Sequence, residues 1–157
     1  MSRNSVTIDH LALACRHLEK MVAAGVTLNG AIRTLELFAD VFAKVHMGGG
    51  ATPHHVRQVG LWSVQATEIR NRIPGAKPRD YFRVEHGRPR RSFALKVLEL
   101  YRKDKLSTIT MAKLVKRYWK LAVITIEEDS RLNKVARAKA FKTPEARWAA
   151  AGIKFEI

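Results

Sequence analysis

The sequence predicts a predominantly helical α+β fold: an N-terminal helical hairpin or three-helix unit, followed by helices with a small two- or three-stranded sheet. Three observations carry this. Apolar residues recur at helical spacing through much of the first 70 positions. A short run rich in β-branched residues, Leu121 to Ile126, has the length and composition of a strand. Among 157 residues, 46% are hydrophobic and only 9 are Gly and 5 Pro, the balance of a packed chain. The expectation is a single domain over 1–157, with a helical scaffold over 1–70 and a basic α+β part over 79–157, joined by 71–78.

Thr7 and Asp9 are candidate caps for a first helix whose apolar residues, Leu11, Ala14, Leu18, Met21 and Val22, recur every three or four positions until Gly25. Leu28, Ile32, Leu35, Phe38, Ala39 and Phe42 continue the same spacing to Val45, and Gly48 to Gly50 break it. Thr52-Pro53 starts a third helix, because proline at the first helical position lacks only an N–H that has no intrahelical partner. That helix is expected through Val56, Val59, Trp62 and Ala66 to Ile69. The string NRIPGAKP, residues 71–78, cannot continue it.

Downstream, Tyr81 to Val84 suit a short strand, and a helix is expected from Arg90 to Tyr101. Lys103 to Lys105 form a turn. Ser107 or Thr108 caps a helix with Met111, Leu114, Val115 and Tyr118 on its apolar face. After the strand Leu121 to Ile126, Thr125 and Glu128 have the spacing of a capping box, and Glu127 to Asp129 suit the positive end of the helix dipole. Thr143-Pro144 starts a last short helix, which Gly152 ends. The alternation of Ile153, Phe155 and Ile157 suits a terminal strand.

Charge narrows the function classes. Lys and Arg number 29 against 14 Asp and Glu, a formal net charge of +15. Up to Ala66 the count is 6 cations to 4 anions, and beyond it 23 to 10, so the excess is almost wholly downstream. Such an excess repels itself in a compact chain and is best offset by a polyanion. The alternative partners are an acidic protein or anionic headgroups. The apolar runs fall short of the roughly 20 residues of a membrane helix, and charges interrupt the N-terminal apolar run where an export signal would need none. The expectation is a cytoplasmic protein without membrane association. One cysteine, Cys15, excludes an internal disulfide and any multi-thiolate zinc site.

From Arg70 to Lys96, nine cations face only Asp80 and Glu85. Arg79, Arg83, Arg88, Arg90 and Arg91 fall at loop or helix-start positions, where guanidinium forks can grip phosphates, and Tyr81, Phe82 and Phe93 interleave them. Lys113, Lys116, Arg117 and Lys120 follow the i, i+3, i+4, i+7 spacing of one helix face and form a second candidate phosphate contact. The bland alternatives are scattered surface charge, a solvated polar face and aromatic core packing.

Glu85-His86-Gly87, at the end of a predicted strand, holds the candidate catalytic pair of a metal-dependent nuclease, with His86 as base acting with Glu85, and an added acid from Glu127 to Asp129 as a further candidate metal ligand. Val84-Glu85-His86 is similar to the opening of the HNH endonuclease motif over those three residues. No histidine follows His86, and the next asparagine is Asn133. A divalent metal is implied only by that alternative, and no other cofactor is evident. His10, His17, His46, His54 and His55 form no compact ligand set, and Gly48 to Gly50 lacks the ending of a phosphate-binding loop. The leading expectation is a nucleic-acid-binding protein, of DNA or RNA. The alternatives are the nuclease and a basic protein-interaction module. The apolar N-terminal helices also suit a homodimer.

Overall fold

The computed structural model describes residues 5–46, 59–136 and 139–156. Among them are nine helices and one two-stranded antiparallel sheet, a predominantly helical α+β fold. The chain divides into two compact units, neither continuous in sequence. One comprises Met1–Ala51 and Pro89–Trp119, the other Thr52–Arg88 and Lys120–Ile157.

The first unit is all helical. Helix α1 (Ile8–Ala23) starts at Thr7, whose hydroxyl accepts the His10 N–H at 3.3 Å while His10 Nδ1 accepts the Thr7 N–H at 3.1 Å. Histidine thus takes the place that Glu or Gln holds in the usual reciprocal cap. Gly25, at φ 93°, supplies the left-handed turn that follows the helix. The second helix of the expected hairpin is interrupted: α2 (Leu28–Ala31) and α3 (Arg33–His46) meet at the buried Ile32, whose ψ of −13° falls short of helical values. Helix α3 packs on α1 and on α6 (Arg90–Arg102), which in turn packs on α7 (Thr108–Tyr118). Leu11, Leu18, Leu35, Val97 and Met111 are wholly buried in this unit, each contributing roughly 1.5–3 kcal/mol of transfer free energy. Between α6 and α7 the turn closes through Asp104 at φ 53°, with the Lys105 N–H donating to the Leu100 carbonyl.

The second unit is built around the sheet. Strands β1 (Phe82–His86) and β2 (Leu121–Thr125) pair antiparallel, with Glu85 opposite Ala122 and Phe82 opposite Thr125. β2 is buried at four successive positions because both of its faces are covered. Ala122 and Ile124 pack with Leu132, Trp148, Ala151 and Ile153, from α8 (Ile126–Ala136), α9 (Pro144–Ala150) and the tail. Val123, on the opposite face, packs with Phe82 and with Ala66 of α4 (Val64–Arg72).

The path of the chain before α4 differs from expectation at Val59 and Trp62, and the structure adds detail at three other places. The start at Thr52-Pro53 lies outside the described residues, and the helix that follows begins only after Ser63, whose hydroxyl accepts the Ala66 N–H at 3.0 Å. Val59 and Trp62 therefore precede that helix, and Trp62 makes a single bridge to Val123. The segment 71–78 ends α4 and leads into a one-turn helix, α5 (Pro78–Tyr81), inside the second unit. The tail contributes a single bridge, Phe155 to Ser63, with Ile157 outside the described residues.

Candidate nucleic-acid interface

Helix α7 presents a cationic surface that lacks acidic partners among the described residues. A reciprocal cap fixes its start: Ser107 Oγ accepts the Thr110 N–H at 3.1 Å, and Thr110 Oγ1 accepts the Ser107 N–H at 2.9 Å. Met111, Leu114 and Val115 are buried, which turns Lys113, Lys116 and Arg117 outward. The helix carries no Asp or Glu, and none of the three makes an ion pair among the described residues. Lys116 and Arg117 lie in the last turn, where the helix dipole favours positive charge. The Arg117 guanidinium and the Lys96 ammonium stand 5.3 and 5.5 Å from the Tyr118 ring.

Lys120 does not extend this face. Trp119 takes an extended backbone (φ −89°, ψ 120°) that ends α7 and leads into β2. The Lys120 ammonium pairs with Glu145 and lies 5.8 Å from the centre of the Trp148 ring.

The loop arginines are largely engaged within their own units. In the first unit, Arg91 Nε meets Glu36 Oε1 at 3.3 Å and its Nη1 donates to Asn29, while Arg90 stands 3.9 Å from Asp40 Oδ2, which also accepts Lys44 at 2.8 Å. These pairs tie the start of α6 to α3. In the second unit, Arg83 Nη1 donates to the carbonyls of Arg79 and Phe82, and Arg88 Nη2 donates to the Lys142 carbonyl at 3.3 Å. Arg79 is open, its side chain 82% exposed and 3.7 Å from Asp80.

The catalytic candidates occupy a structured corner of the second unit. Glu85 shares the sheet face of Ala122, which α9 helps to cover, and there its carboxylate binds Arg147, which also donates to the His86 carbonyl at 3.0 Å. Burial pushes the Glu85 carboxyl above the usual carboxylate range, with Arg147 pulling the other way. Asp129 lies near enough for its charge to add to that upward push.

Glu128 is buried, with Ser63 and Thr125 as its hydrogen-bond partners. Its Oε2 accepts the Thr125 N–H at 2.9 Å, and its own N–H donates to Thr125 Oγ1 at 3.1 Å, the capping box expected from the spacing. Glu127 is exposed, 3.5 Å from Arg131. Among the described residues no three His, Cys, Asp or Glu side chains are placed to share a metal ion. Cys15 is fully buried on α1, and desolvation pushes its thiol up to about 12. No described helix is long and apolar enough to cross a membrane.

One feature of the first unit escapes the sequence. A pocket of about 500 Å³ is lined by His46 at the end of α3 and by Ala112, Lys113, Val115, Lys116 and Trp119. The five α7-side residues follow helical spacing, so that pattern could have flagged one face, but His46 joins them only through the packing of the unit. The Trp119 ring, 7% exposed, rests 5.0 Å from Phe93, and His46 stacks on Phe42.

No protein-family model, curated protein or solved structure matches this chain.

Proposed function

We propose that the protein binds the phosphates of nucleic acid, with Lys113, Lys116 and Arg117 of α7 as the principal contacts. The observation that carries this is a helix with three exposed cations, no acid of its own and, among the described residues, no ion pair to those cations. Charges already matched by carboxylates release few counterions when a polyanion arrives, whereas unmatched ones replace the counterions condensed on it. Arg90, Arg91 and Lys120, each paired to an acid, thereby become secondary contributors. Arg79, Arg83 and Arg88 add to the basic field of the second unit. The net charge of +15 favours encounter with a polyanion over an acidic patch of limited size.

The test is binding of the purified chain, freed of nucleic acid, to labelled single-stranded DNA, duplex DNA and RNA across a salt series, with and without magnesium or manganese. Affinity is expected to fall steeply with salt. Replacing Lys113, Lys116 and Arg117 together by Ala is expected to reduce the log–log slope by about 2–3, since each phosphate left without its cation lowers it by roughly 0.7–0.9. Binding to none of the three at low salt would overturn the proposal and leave a protein partner as the reading to pursue. Metal-dependent cleavage in the same tubes that His86→Ala abolishes, with binding retained, would establish the nuclease instead.

A further inference from the structure

The α7 pocket joins two chemistries. Its lining combines the apolar Ala112, Val115 and Trp119 with the basic Lys113 and Lys116 and with His46. Val115 and Trp119 are nearly buried while both lysines are exposed, so apolar surface and cation lie side by side. A matching ligand offers a compact apolar body with an anion attached. A nucleic acid strand repeats that pairing at every nucleotide, but a duplex keeps its bases stacked inside and offers the pocket only phosphate.

Resting on the phosphate-binding reading above, we infer that this pocket seats an unpaired nucleobase while Lys113 and Lys116 hold its flanking phosphates, so that the protein prefers single-stranded nucleic acid. Base contact with an apolar or aromatic surface tolerates any sequence, since every base has a flat face. The two lysines serve the backbone, and the apolar lining adds the preference for an open strand.

The experiment compares three labelled ligands of equal length on the intact chain: a single-stranded oligonucleotide, the same strand with abasic sites throughout, and a duplex. The base-containing strand is expected to bind about tenfold tighter than the abasic one, the range of a single stacked base. Ala112→Leu adds bulk to the apolar lining and leaves every charge in place. It is expected to abolish that advantage without changing abasic binding, and circular dichroism checks that the variant is folded. Replacing Lys113 and Lys116 by Ala weakens all three ligands. Equal affinity for base-containing and abasic strands in the unaltered protein overturns the inference while the phosphate reading stands. So does a duplex that binds as tightly as the open strand, or an advantage that survives in folded Ala112→Leu. Binding of none of the three at low salt overturns both.

Discussion

Ser63 and Glu128, 65 positions apart in the chain, meet through a hydrogen bond of 2.6 Å in which the hydroxyl donates to Oε2. The same hydroxyl accepts the Ala66 N–H that starts α4, and the same carboxylate oxygen accepts the Thr125 N–H before α8. One buried contact thus fixes the entry of two helices. Ser63→Ala removes a cap and one donor to a buried carboxylate, and a loss of about 1–3 kcal/mol in denaturant unfolding is expected. Ser63→Thr, which keeps the hydroxyl, should recover part of it; equal losses in both would show that the hydroxyl carries none of the effect.

The Glu85–Arg147 pair, with side chains 11% and 15% exposed, sets a dependence on pH. The folded-state carboxyl is raised, so the folded protein holds this proton where the unfolded chain has released it. Stability from this group is therefore present at low pH and declines as pH rises from the ordinary carboxylate range through the raised value. Glu85→Gln removes the titration, and the stability of the unaltered protein relative to this variant should fall across that window. Chemical denaturation at pH steps between 4 and 8 measures the difference, and a difference that grows with pH would contradict the assigned direction.

Arg147→Leu strands the Glu85 carboxylate beneath α9, for a loss of about 3–5 kcal/mol near neutral pH. The loss should shrink in acid, where the carboxyl takes a proton and no longer needs a cation. The double variant Arg147→Leu/Glu85→Leu is expected to be more stable at pH 7 than Arg147→Leu alone. Thermal unfolding of the three proteins gives the comparison.

Gly87 leaves no room for a side chain. A Cβ there would lie 2.6 Å from Pro144 Cβ and 3.1 Å from Trp148 Cζ2. Gly87→Ala must push β1 and the start of α9 apart, at about 1–3 kcal/mol, the usual cost of overpacking. An unchanged melting temperature would show that Pro144 yields freely.

Cys15 reports on opening of α1. Its burial and a thiol held at about 12 leave almost no thiolate at pH 8. Disulfide-exchange labelling of the folded protein should run at least tenfold slower than that of the denatured chain at the same pH. Comparable rates would place the thiol at the surface.

Local signals in the sequence were enough for elements whose start and pattern lie within a few residues. Thr125 with Glu128, Thr143 before Pro144 and the apolar face of Met111, Leu114 and Val115 all behave as their spacing predicts. Charge counting along the chain fared differently. Around Arg90 and Arg91 the neighbouring sequence holds few acids, yet Glu36 and Asp40 reach them from α3. Counting by position treats an arginine as unmatched whenever its acid lies far away in sequence. Trp62 shows the same effect in the backbone: its spacing suits a helix, but a single bridge to Val123 holds it outside one. The pocket at His46 and Trp119 is likewise a product of packing.

Because each unit draws on two separated stretches of chain, synthesis from the N-terminus completes them late. When α1, α2 and α3 have emerged from a ribosome, the faces that pack on α6 have no cover until the residues past Arg90 follow. β1 waits longer for β2, with α6 and α7 made in between. A stop codon between Ala51 and Pro89 therefore leaves both units without part of their cores, whereas one after Trp119 spares the first unit and truncates only the second.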